Sequence, residues 1–118
     1  MFLERLSRIA DRIEGTLALG LVAHDGIPIE AVNYSSDLDL DVLAAEMVAQ
    51  VRSIADDHRE LAVGELQQFA VTTDRLTLMV SSLAGGYYLL LVLGPEGNYG
   101  RARFELRRAR LLLDEDLA

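Results

Sequence analysis

Side chains able to move protons, hold metals or attack carbonyls are scarce in this sequence. Histidine occurs twice, at His24 and His58. His24 stands beside Asp25, but two adjacent residues form neither a charge relay nor a metal site, which need groups converging from separate points of the chain. His58 falls where the residue pattern ends a helix, and an imidazole there serves the free carbonyls of the last turn. Cysteine is absent, which removes disulfides, a thiol nucleophile and thiolate metal ligation together. One glycine-rich stretch remains, Gly94-Pro-Glu-Gly-Asn-Tyr-Gly100, joining a strand-like run to a helix-like one. A phosphate loop of the P-loop type needs Lys and then Ser or Thr after its last glycine, and Arg101-Ala102 stands there instead. A dinucleotide fold needs another parallel strand after the helix, and the pattern offers none. The glycines read as turn residues, with Asn98 capping the helix that follows. No catalytic residue, no cofactor and no metal is expected.

Charge narrows the field further. The 118 residues carry 19 acids and 11 bases, a net charge of −8. A nucleic-acid partner is not expected, because a phosphate backbone needs a basic footprint. Every base is an arginine, and eight of the eleven lie near the ends: Arg5, Arg8, Arg12, Arg101, Arg103, Arg107, Arg108 and Arg110. Residues 25–96 set twelve acids against Arg52, Arg59 and Arg75. Such an acidic middle serves solubility, and it equally offers a surface to a partner. The longest apolar run, residues 87–93, is too short to cross a bilayer. Charges interrupt the first residues, unlike the unbroken core of a signal peptide. The expectation is a cytoplasmic protein without membrane insertion, with residues 1–118 forming one domain around one core.

The elements follow from periodicity. Phe2, Leu6, Ile9 and Ile13 have helical spacing over residues 2–14, and Gly15 reads as a helix stop. Residues 16–23 are nearly all apolar. Asp25-Gly26 then gives a hairpin signal, and Pro28 places the returning arm, residues 27–32, at a sheet edge. A second helix, capped by Asp37 or Asp39, carries the stripe Leu40, Leu43, Ala44, Met47, Val48, Val51, Ile54 and Ala55 to about His58. Three strand-like runs follow at 65–73, 76–83 and 87–93, turning at Asp74-Arg75 and Ala84-Gly85-Gly86. The last helix begins near Asn98 and is expected to bury Tyr99, Ala102, Leu106, Ala109 and Leu113. The most apolar runs, 16–23 and 87–93, belong side by side at the centre, covered on both faces. The prediction is an α/β three-layer sandwich of order α-β-β-α-β-β-β-α. Its five-stranded, mostly antiparallel sheet has the order 2-1-5-4-3, with helices on both faces.

Two surfaces suggest association. If the apolar stripe of the middle helix faces the sheet, Val42, Ala45, Ala49, Ser53 and Asp56 face away. Alanine is the best helix former, and it also lets another helix approach closely. The run 65–73 ends the sheet with Leu66, Phe69 and Val71, an aggregation hazard unless a twin strand pairs with it across a two-fold axis. Leu66, Phe69, Val71, Ala45 and Ala49 are therefore the expected dimer contacts.

Three segments carry a resemblance over nearly the whole chain: Gly20-Leu-Val-Ala-His-Asp-Gly-Ile-Pro-Ile29, Tyr87-Tyr-Leu-Leu-Leu-Val-Leu93, and Pro95-Glu-Gly-Asn-Tyr-Gly-Arg-Ala-Arg-Phe-Glu-Leu-Arg-Arg-Ala109. In order and spacing they resemble the Roadblock family of dynein light chains, in its bacterial MglB-like branch. The resemblance implies a homodimer with one continuous sheet and the two middle helices side by side. It implies a small Ras-like GTPase as partner, bound over Val42, Ala45, Ala49, Arg52, Ser53 and Asp56, without catalytic residues on this chain. Arg52 is expected to pair with Asp56 one turn on rather than to act as an arginine finger. The alternatives are a purely structural scaffold and a small-ligand sensor, the latter needing core-facing polar residues that the central strands lack.

Overall fold

Helical and strand periodicities resolve into the expected order in the computed structural model, which describes residues 2–117. The elements are α1 (Phe2–Asp11), β1 (Thr16–Val22), β2 (Pro28–Asn33), α2 (Leu40–Glu60), β3 (Gln68–Thr72), β4 (Thr77–Ser82), β5 (Tyr88–Leu93) and α3 (Tyr99–Leu117). The strands form one sheet in the order β2-β1-β5-β4-β3, and every neighbouring pair is antiparallel.

β1 and β5 are inside because they have little to offer water. Leu89, Leu90, Leu91, Val92 and Leu93 are all fully buried. Alternation divides them between the two faces. Leu19, Leu21, Met79, Leu89, Leu91 and Leu93 meet Leu6, Ile9 and Ala10 of α1 and Ala102, Leu106, Ala109 and Leu113 of α3. Ala18, Val22, Leu78, Val80, Leu90 and Val92 meet Leu40, Ala44, Met47, Val48 and Val51 of α2. Two helices thus cover one face and a single long helix covers the other. Each fully buried leucine contributes about 1.5–3 kcal/mol relative to exposure.

The β1–β2 hairpin closes through the Ala23 N–H donating to the Ile27 carbonyl at 3.0 Å and the Gly26 N–H donating to the Ala23 carbonyl at 2.9 Å. Gly26 has φ +88°, which a side chain would resist. Pro28 lies opposite Val22, where the register shifts, on a strand that pairs on one side alone. Asp39 is the cap of α2, its Oδ1 accepting the Val42 N–H at 3.2 Å.

Three expectations need correction. α1 stops at Asp11, because the Arg12 and Ile13 N–H groups turn back to Ile9 and Ala10, while Ile13 stays buried in the turn. β3 starts at Gln68 rather than at 65, since Ala62 (φ +57°) and Gly64 (φ +104°) bend the chain ahead of it. Tyr99 is 43% exposed instead of buried, because the first residue of α3 turns its ring outward.

Candidate functional site

Seating Ala44, Met47, Val48 and Val51 on the sheet obliges the opposite side of α2 to face out. Val42, Ala45, Ala49, Arg52, Ser53 and Asp56 are all exposed there, as a surface of small residues with one aliphatic and two charged side chains. The N-terminal half of this helix rests on the β1–β2 turn, where a Cβ on Gly26 would come 3.2 Å from the Ala45 Cα. The face is therefore held on a hairpin as well as on the core.

The charges pair differently from expectation. Asp56 is taken by Arg59, at 2.7 Å, and not by Arg52. Arg59 also reaches Glu65 at 3.4 Å, tying the end of α2 to the segment entering β3, a local contact that Arg52 does not make. Among the described residues no ion pair involves Arg52. These pairs are exposed and contribute little to stability, about 0–1 kcal/mol each.

β3 pairs with β4 from Gln68↔Ser81 to Thr72↔Thr77, and its other side has no neighbour among the described residues. Leu66, Phe69 and Val71 are half-buried and pack on the cluster that α2 covers. They stand on the same side of the sheet as Ala45 and Ala49. What the edge presents outward is chiefly its backbone, with these side chains partly covered.

His24 is exposed and His58 half-buried. No group of three or more metal-ligating side chains converges among the described residues. The 94–100 loop packs instead of cradling: the Gly94 N–H donates to the Gly15 carbonyl at 2.8 Å, and a Cβ on Gly97 would fall 2.4 Å from Leu93. Asn98 caps the next helix, its Oδ1 accepting the Arg101 N–H at 2.9 Å. One group escaped the sequence reading. Glu105 is buried to 2% exposure, its Oε1 lying 3.2 Å from Arg101 and 3.9 Å from Arg108 without a hydrogen-bond partner. Arginines at both i−4 and i+3 were the available signal.

No family model and no curated protein matches the sequence. Solved structures do match. A Roadblock/LC7 domain from Streptomyces avermitilis is 20% identical with a TM-score of 0.86, over 98% of this chain and 96% of that one. An MglB structure with a tetrameric arrangement is 18% identical with a TM-score of 0.83, over 96% and 88%. MglC from Myxococcus xanthus is 26% identical with a TM-score of 0.72, over 98% of each. With strand order, helix placement and nearly the full length of these domains in common, the chain has the Roadblock/LC7 fold.

Proposed function

We propose that the protein is a homodimeric, non-catalytic regulator or scaffold of the MglB-like kind, which binds a small Ras-like GTPase across its α2 face. The observation that carries this reading is the combination of an unpaired β3 edge with small exposed residues on α2, both on one side of the sheet. Pairing β3 with its twin would extend the sheet and set two α2 helices astride the two-fold axis as one shallow platform. A partner centred on that axis binds once per dimer. Ala45 and Ala49 permit close packing, whereas a bulky charge there clashes and is left desolvated. The tetrameric MglB structure supports self-association as a habit of this fold. A small-ligand sensor finds less support, because both interlayer clusters are built mainly of apolar side chains, with Thr77, Ser81 and Glu105 the buried polar groups among the described residues.

The test is binding and turnover with a purified Ras-like GTPase from the same genome. Ala49→Glu should abolish binding of one GTPase per two chains, and intact binding would place the platform elsewhere. Arg52 is the informative second variant, since among the described residues no carboxylate pairs with it. Under a positioning role, Arg52→Ala lowers affinity and leaves turnover in the saturated complex unchanged. Normal binding with stimulation lost would instead make Arg52 a finger acting on the phosphates.

A further inference from the structure

A groove of about 760 Å³ runs between α3 and the segment entering β3. Arg103, Arg107, Arg110 and Leu111 line it from α3, and Val63 and Leu66 from the other side. The first three stand at i, i+4 and i+7, one row on one helix face. Two carboxylates also border the groove, and both are engaged already. Glu65 holds Arg59 at 3.4 Å. Asp114 meets Arg110 at 3.7 Å and accepts the Ala84 N–H at 2.8 Å. Arg103 and Arg107 have no ion pair among the described residues. Two like charges at i, i+4 repel, so the free protein carries a small electrostatic cost that a pair of carboxylates would remove. Beside them Leu111 is 72% and Val63 68% exposed, while Gln68 and Ser81 bond to each other at the base of the groove.

We propose that this groove is a docking site for an acidic amphipathic segment of another protein, whose carboxylates sit on Arg103 and Arg107 and whose apolar residues cover Leu111 and Val63. Charge complementarity selects this occupant. A nucleic acid or an anionic membrane would bring a continuous array of phosphates against Glu65, Asp114, Glu115, Asp116 and a net charge of −8. A peptide brings negative charge at two points only. The helix α3 lies on the opposite face of the sheet from α2, so its arginine row is separate from the exposed α2 face. The inference does not depend on a GTPase, and it uses none of the α2 residues of that reading, although Leu66 and the entry to β3 also border the proposed dimer seam.

The experiment selects short random peptides displayed on phage against the intact protein and against the Arg103→Glu/Arg107→Glu variant. Both arginines are exposed, and an unchanged thermal melt confirms the variant's fold. The wild type should enrich peptides with acidic pairs three or four residues apart beside apolar residues. The variant should lose affinity for a chosen peptide about tenfold or more, and gain the same peptide with lysines in place of its acids. Enrichment without acidic pairs, or binding that the double variant leaves intact, overturns the proposal. So does retention of wild-type protein on phosphatidylserine vesicles but not on phosphatidylcholine ones, with no acidic peptide selected, which would assign the groove to a membrane surface.

Discussion

A methyl group on Gly97 would meet Leu93 at 2.4 Å, and Leu93 is itself 1% exposed with no room to yield. Gly97→Ala should therefore destabilise the protein by about 1–3 kcal/mol in urea denaturation. Gly100 is the control within the same loop: its Cβ would meet only Asn98 Oδ1, at 3.4 Å, inside the first turn of α3. Gly100→Ala should be neutral or gain up to about 1 kcal/mol through helix propensity. Glu105 offers a second residue-scale test. Its two arginines are about half exposed and can return to water, whereas its Oε1 is buried without a donor. Glu105→Leu should thus change stability by less than about 1 kcal/mol, or raise it, since apolar replacement of a buried ion often does. A loss of more than about 1 kcal/mol in urea denaturation would show that the carboxylate organises α3.

The sheet edge decides the behaviour of the elements. β3 is short, and one side of its backbone has no partner, the arrangement that invites pairing with another chain. Wild-type protein should sediment at twice its 13.0 kDa mass at micromolar concentration, and a monomer there would remove the dimer reading. Phe69→Lys should yield monomer with a lower melting temperature, because Phe69 also packs under α2. Strand order was legible in the sequence for a physical reason: the two most apolar runs had to be central, and Pro28 had to be peripheral. The start of β3 was not, because Leu66 continues the apolar pattern while backbone signs at Ala62 and Gly64 bend the chain away. The exposed face of α2 was legible from periodicity alone. The partner of Asp56 was not, since Arg52 and Arg59 both have helical spacing to it and only the folded position of Glu65 separates them. The arginine groove was hidden for a similar reason. Val63 and Leu111 are far apart in sequence, and residue spacing does not reveal that they share a wall.

For the whole molecule, an acidic balance and a loop without a lysine disfavour free nucleotides. Calorimetry with GTP or ATP should show no micromolar binding by the protein alone, and such binding would contradict a purely regulatory role. The sheet order has a further consequence, for how the chain must acquire its structure. β1 pairs with β2, the next strand in sequence, but its other partner is β5, with Leu19 opposite Leu91 and Leu21 opposite Leu89. On the ribosome, synthesis proceeds from the N-terminus, so β1 leaves the exit tunnel long before β5 exists. Until then one side of its backbone is unpaired and both apolar faces await cover. Contacts so distant in sequence also close slowly. The centre of the sheet therefore closes only after β5 has emerged. Before that step, β1 keeps an uncovered edge open to pairing with another chain.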